Sequence, residues 1–137
     1  MGEQNDFNAG VIEEFRAHNG KVGGRFAGMD MLLLTTIGAK SGQQRVTPLV
    51  YVADGDRMVI IASKAGAPTN PDWFHNLVAN PHVIVEVGAD RYGAAAEVAA
   101  GTERDELYAT MVAKMPFFGE YQKNTERTIP VVTLTRA

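Results

Sequence analysis

Between Met31 and Ala62 three β-type runs follow one another, joined by turns too short to hold a helix. Met31 to Ile37 is a short apolar run ending in Thr35-Thr36-Ile37, the pattern of a buried strand. Gly38 to Gln44 is a turn, and Val46 to Ala53 reads as a second strand. Asp54-Gly55 is a strong hairpin signal, and Arg57 to Ala62 is the third strand. Strands joined this closely pair antiparallel, because a parallel pair needs a long crossover. His82 to Val87 and Arg91 to Val98 add two strands around Gly88-Ala89-Asp90, and Val131 to Thr135 adds a last one.

Three helices are predicted between these strands. Asp6 to His18 places Phe7, Val11 and Phe15 on one face with Ile12 beside them, and Asn19-Gly20 stops it. Asn70 as N-cap and Pro71 at the first helical position open a second helix, with Trp73, Phe74, Leu77 and Val78 as its apolar face and Asn80-Pro81 as its end. Thr102-x-x-Asp105 resembles a capping box and starts a third helix, with Leu107, Met111 and Met115 on one side and Pro116 closing it. Six mostly antiparallel strands with flanking helices predict a mainly β barrel. A Rossmann domain is excluded: the glycines at 20, 23, 24 and 28 lack the required spacing, and no P-loop is present.

A length of 137 residues fits one core and one domain over 1–137, with residues 1–30 as an N-terminal helix and a flexible basic loop. The chain has no cysteine, which excludes disulfides, thiolate metal sites and cysteine nucleophiles, and fits a reducing cytosol. His18, His75 and His82 have no ligand spacing, so no metal is expected. No apolar stretch approaches a bilayer span, and the polar, acidic start lacks the pattern of a signal peptide, so a cytoplasmic location is expected. The net charge of −3 is unevenly spread. Residues 16–64 carry seven bases against three acids, while residues 1–15 carry four acids and no base. A basic stretch inside an acidic chain suits a specific anionic ligand rather than nucleic acid.

That stretch contains Gly38-Ala39-Lys40-Ser41-Gly42-Gln43-Gln44-Arg45-Val46-Thr47-Pro48. Glycines let backbone N–H groups converge on an anion, Ser41 adds a hydroxyl, Lys40 a compact charge and Arg45 a two-pronged donor. Pro48 suits a strand edge along which a ligand can lie. From spacing alone, a phosphate anchor and a solvated hairpin tip read equally well. A second such stretch, Ala62-Ser63-Lys64 with small residues to Gly66, leaves a strong strand. It reads either as a ligand-facing turn or as a strand-to-helix loop.

Together, Gly38-x-x-Ser41-Gly42-x-x-Arg45-x-x-Pro48, Ala62-Ser63-Lys64, Asn70-Pro71-x-Trp73-x-x-Asn76-Leu77-x-x-Asn80-Pro81 and Arg127-Thr128-Ile129-Pro130-Val131 resemble the deazaflavin-dependent nitroreductase family of actinobacteria. The resemblance runs from about Leu34 to the C-terminus. It implies a split β-barrel of the FMN-binding, pyridoxamine-oxidase-like type and coenzyme F420 as cofactor. It further implies that Lys40, Ser41 and Arg45 hold the cofactor phosphate, and that Thr47, Pro48 and Leu49 lie along the deazaflavin. Ala62, Ser63 and Lys64 would contact ring, ribityl chain or phosphate, with Trp73 and Asn76 supporting the pocket and Lys21 and Arg25 meeting the polyglutamate tail. The nitroimidazole-activating members carry Tyr-x-x-Tyr-x-x-Tyr where this chain has Met115-Pro116-Phe117-Phe118-Gly119-Glu120-Tyr121, so only Tyr121 keeps a hydroxyl.

The implied activity is hydride transfer from the reduced deazaflavin to an activated small-molecule acceptor: a quinone, nitro compound or enone. Ser63 and Tyr121 are the candidate donors at the reaction centre, and Met115, Phe118 and Tyr121 the candidate substrate wall. Trp73 reads more readily as core than as a stacking platform, and Tyr121 equally as a structural hydroxyl. The alternatives are a protein that stores F420 without a substrate, and an FMN- or haem-binding barrel. A quinone acceptor would bring the protein to the inner face of the membrane. The oligomeric state is left open.

Overall fold

The computed structural model describes residues 2–23, 29–64 and 69–137. Helix α1 (Gly2–Ala17) is followed by β1 (Met31–Ile37), β2 (Gln44–Val50), β3 (Val52–Asp54), β4 (Arg57–Ile61) and α2 (Asp72–Ala79). Then come β5 (His82–Val87), β6 (Asp90–Val98), α3 (Gly101–Lys114), α4 (Phe117–Lys123) and β7 (Val131–Arg136). Arg25, Ala65 and Gly66, singled out in the sequence, lie outside the described residues, as does the side chain of Phe7.

All strands join one antiparallel sheet in the order β2-β1-β5-β6-β7-β4-β3. The two outermost strands, β2 and β3, are separated in the chain only by Tyr51. Consecutive Cα atoms are about 3.8 Å apart, so one residue can bridge opposite edges only if the sheet curls until they meet. This connectivity, together with the right-handed twist of strands, makes the sheet a curled half-barrel with a seam at Tyr51. The break also divides the predicted second strand in two, giving seven strands rather than six. The Tyr51 amide donates to the Asp30 carbonyl at 3.0 Å, one position beyond the Met31–Val50 pair and in register with the β1–β2 ladder.

The barrel interior holds Leu32 and Leu34 with Ile60, Trp73, Leu77, Val85 and Leu134. The alternate residues of β1, Met31 and Leu33, pack outward against Val11 and Phe15 of α1. Both faces of β1 are therefore covered, which is why Met31 to Leu34 is continuously apolar instead of alternating. A third cluster joins the outer faces of β3, β4 and β7 to α3 and α4 through Val52, Ile61, Leu107, Met111, Phe118 and Val131. Past α1, Asn19 and Gly20 have positive φ, and a Cβ on Gly20 would lie 2.8 Å from the Gly88 Cα in the β5–β6 turn. Only glycine allows that approach.

Helix α1 begins at Gly2 rather than Asp6, two further N-caps differ from expectation, and one helix is additional. Pro71 rather than Asn70 is the N-cap of α2. Asn70 Oδ1 instead accepts from the Arg127 guanidinium at 2.7 Å, a charge-assisted bond stronger than a neutral cap. In α3 the N-cap is Ala100, with no side-chain capping bond, and Thr102 lies inside the first turn. Pro116 closes α3 as expected but is also the N-cap of the unpredicted α4, where its fixed φ of −56° already suits a helix.

Candidate functional site

The basic turn between β1 and β2 is built by its own backbone and braced from α2. The Gly38 amide donates to the Gln43 carbonyl at 2.7 Å, and the Gly42 amide to the Gly38 carbonyl at 2.9 Å. Gly42 has φ +71°, so its place in the tight turn requires a residue without Cβ. Ser41 Oγ accepts the Gln43 amide at 3.2 Å, which leaves its own proton free to be donated. From α2, Asn76 Oδ1 accepts the Ala39 amide at 2.9 Å while Nδ2 donates to Thr36 Oγ1 at 3.2 Å. Asn76 is buried, whereas Lys40, Ser41 and Arg45 are exposed. A fixed backbone thus presents two cations and a hydroxyl to solvent.

From Arg45, strand β2 runs along the edge of the sheet to Leu49, about 13 Å by strand rise. There it meets a cleft of about 390 Å³. Pro48, Leu49 and Val50 form its β2 side, and Ile61, Ser63 and Lys64 its floor at the exit of β4. Pro71 and Trp73 come from the start of α2, and Phe117, Phe118 and Tyr121 from α4. Met29 and Met31 complete it. The three aromatic rings of α4 pack on one another: Phe117 stacks on Phe118 with centroids 4.7 Å apart, and Tyr121 meets both edge-on at 5.5 Å. This wall is held from behind by Tyr108, whose hydroxyl donates to the Phe118 carbonyl. Burial pushes the Tyr108 pKa up, against the opposing pull of Arg104 and Arg127.

The floor is held by Arg127. Its guanidinium donates to the carbonyls of Ala62 at 3.1 Å and Ser63 at 2.7 Å. Desolvation lowers the pKa of this guanidinium. Lys64 has φ +47°, a strained backbone for a side chain with Cβ, and its Nζ donates to Thr69 Oγ1 at 3.2 Å.

Of the residues singled out in the sequence, Pro48, Leu49, Ser63, Lys64, Trp73, Phe118 and Tyr121 share the cleft. Lys40, Ser41 and Arg45 lie at the other end of β2. Thr47 is half-buried between the two, and Asn76 braces the turn without lining the cleft. Ala62 is buried beneath the floor, and Met115 packs into the cluster behind α4. Trp73 belongs to the barrel core, as read from the sequence, and also lines the cleft. Met29, Met31 and Phe117 were not anticipated, although a short apolar pair flanking Asp30 and the Phe117-Phe118 repeat were visible. Among the described residues no group of His, Cys, Asp or Glu could hold a metal ion.

The layout fits an elongated ligand that is anionic at one end and planar at the other. The exposed cations and hydroxyl suit a phosphate, the apolar cleft suits a ring system, and the edge strand spans the distance between them. A curled antiparallel sheet flanked by helices in this way is the fold of F420-H2-dependent reductases. The chain belongs to the F420H(2)-dependent quinone reductase family, whose model matches residues 10–136. It is similar to an F420H(2)-dependent quinone reductase of Mycobacterium tuberculosis, with 42% identity over 126 residues covering 89% of this chain and 85% of that protein. A solved F420-H2-dependent reductase superposes with a TM-score of 0.71 at 38% identity, over 77% of this chain and 93% of that one. A second solved structure, described as a domain-swapped dimer, superposes with a TM-score of 0.73 at 32% identity, over 96% of this chain and 99% of that one.

The chain is accordingly an oxidoreductase of the deazaflavin class. This membership supports the reductase reading over the storage protein and the FMN- or haem-binding barrel.

Proposed function

We propose that residues 1–137 act as one cofactor-binding unit that passes a hydride from reduced F420 to a quinone in the cleft between β2, the Ala62–Lys64 segment and α4. The observation that carries the reading is the edge strand itself, with a braced basic turn at one end and an aromatic-walled cleft at the other. Lys40 and Arg45 neutralise the cofactor phosphate, and Ser41 donates to it. Thr47, Pro48 and Leu49 guide the ligand along the edge. Ser63 and Lys64 form the surface under the ring, with the buried Ala62 supporting it from beneath; Ser63 donates a hydrogen bond and the Lys64 ammonium balances charge. Trp73 closes the inner end of the cleft, and Asn76 holds the turn in register.

When bound, reduced F420 supplies the hydride. The chain's own part is to orient and to exclude water. Phe117 and Phe118 offer a flat apolar wall to a planar acceptor, with Met29, Met31 and Met115 as adaptable filler in or behind it. The Tyr121 hydroxyl, at the edge of that wall, is placed to donate a proton to an acceptor oxygen. Lys21, exposed after α1, meets an anionic cofactor tail.

We place the protein in the cytoplasm, meeting a lipid-borne quinone at the inner face of the membrane. Among the described residues no helix is long and apolar enough to cross a membrane, so the quinone would be reached from one side. Mixing the protein with reduced F420 and then menadione tests the central reading: rapid deazaflavin oxidation is expected. Tight FMN binding without F420 binding would sink it, and F420 binding without turnover on quinones, nitro compounds or enones would return the storage role.

A further inference from the structure

Arg127 is held from two sides. Among the described residues its guanidinium donates to the carbonyls of Ala62 and Ser63 and to Asn70 Oδ1. Its main-chain carbonyl accepts from Gln122 Nε2 of α4 at 2.8 Å. Gln122 Oε1 in turn accepts the Ile129 amide at 3.1 Å and Arg104 Nη2 at 2.8 Å. Arg104 also donates twice to the Ile129 carbonyl, at 2.7 and 3.1 Å. A single residue therefore ties the floor of the cleft, at Ser63, to the helix that carries Phe117, Phe118 and Tyr121.

Among the described residues the floor is also tied by the Ala62 amide, which donates to the Pro130 carbonyl at 2.9 Å. β4 ends at Ile61, so the carbonyls of Ala62 and Ser63 lie beyond the sheet ladder. Three acceptors at fixed directions suit a planar guanidinium and not a single ammonium. The basic turn is braced by a different set, Asn76 with Ala39 and Thr36. The hydrogen bonds that hold the anionic end and those that set the width of the cleft share no residue.

Resting on the reading that ring and acceptor meet in this cleft, we infer that Arg127 is a positioning residue for hydride transfer. It sets the distance between the ring-facing segment and the acceptor-facing helix and takes no part in holding the cofactor's anionic end. Such a role separates rate from affinity, because misplacement by about 1 Å can cost roughly 10²-fold in rate.

The test uses the whole chain with Arg127→Met, Arg127→Lys and Asn70→Ala. F420 affinity is read by fluorescence titration, and single-turnover oxidation of the reduced complex by menadione is read by stopped flow. Arg127→Met is expected to slow the single turnover by about tenfold or more while the Kd for F420 stays within about threefold. Arg127→Lys should recover part of the loss, and Asn70→Ala should show a smaller loss of the same kind. Single-turnover rates within about twofold of the unsubstituted chain would overturn the inference, as would a Kd that rises in proportion to the rate loss. If the Arg127 variants do not fold, Asn70→Ala decides alone, and an unchanged rate there overturns it. An unsubstituted chain that fails to bind F420 would overturn both this inference and the reading beneath it, whereas normal turnover with unaltered variants removes the role of Arg127 alone.

Discussion

The buried amide of Asn76 accepts a hydrogen bond from the backbone N–H of Ala39 at 2.9 Å, 37 residues earlier in the chain. Through this bond a helix packed against β1 fixes the backbone of an exposed turn. Asn76→Leu keeps the side-chain bulk and removes this bond and the one to Thr36. It is expected to cost about 1–3 kcal/mol of stability, since a partly buried amide loses its partner. F420 affinity should fall with it, although residue 76 does not line the cleft. Denaturant unfolding and fluorescence titration measure the two effects, and an unchanged Kd would show that the turn does not depend on this brace.

Arg45 reaches solvent from the first residues of β2, where a mobile phosphate group can find it. Arg45→Ala is expected to raise the Kd for F420 more than tenfold, or by more than about 1.4 kcal/mol. The loss should shrink as salt is added, because the charge is exposed and screened. A Kd that neither rises nor responds to salt would remove Arg45 from the anchor.

Tyr121 packs edge-on against Phe117 and Phe118, so Tyr121→Phe leaves the aromatic wall in place and deletes only the hydroxyl. Loss of a proton donor is expected to lower kcat with menadione by about 10²-fold, with KM and the unfolding midpoint little changed. Full activity in this variant would reduce Tyr121 to a packing residue.

Tyr108 and Tyr51 both have pKa values raised mainly by burial, Tyr51 further by the nearby Asp30 charge. A group with a folded pKa above its unfolded value binds its proton more tightly in the native state. The stability it contributes is complete below the unfolded tyrosine pKa of about 10 and is lost as pH climbs through the folded value. Melting temperature should therefore hold up to about pH 10 and fall above it. Tyr108→Phe should lower the melting temperature at neutral pH, through the lost bond to the Phe118 carbonyl, and should flatten part of the alkaline decline. An equally steep decline in that variant would assign the effect elsewhere.

The parts of this molecule that depend on neighbours in sequence were the legible ones. β1 reads as a buried strand because Met31–Ile37 is apolar on both faces, and the β3–β4 hairpin reads from Asp54-Gly55. Lys40, Ser41 and Arg45 could be proposed as an anchor because they sit within a few residues of one another. What escaped depends on partners far along the chain. Val46 to Ala53 looks continuous, and only the distant edge positions of β2 and β3 explain the interruption at Tyr51. Asn70 looks like a helix cap until Arg127, 57 residues later, takes its oxygen. Arg127 itself was visible only as part of a motif, because a bond to the carbonyl of Ala62 leaves no trace in the spacing of side chains. α4 was hidden by Pro116, which ends one helix and begins another with the same backbone angle.

The place of β7 in the sheet bears on the order in which the molecule can assemble. This strand, the last of the chain to pair, lies between β6 and β4. Until it arrives, β2-β1-β5-β6 and the β3–β4 hairpin are connected only by the chain, through Tyr51 and through α2, and the edges of β6 and β4 lie open toward each other. A ribosome-bound chain emerging from its N-terminus would therefore hold both halves unpaired until residues 131–136 are free, and only then form the cleft. Folding governed by such distant pairings is slow, and the edges of β6 and β4 stay open to wrong pairing while they wait.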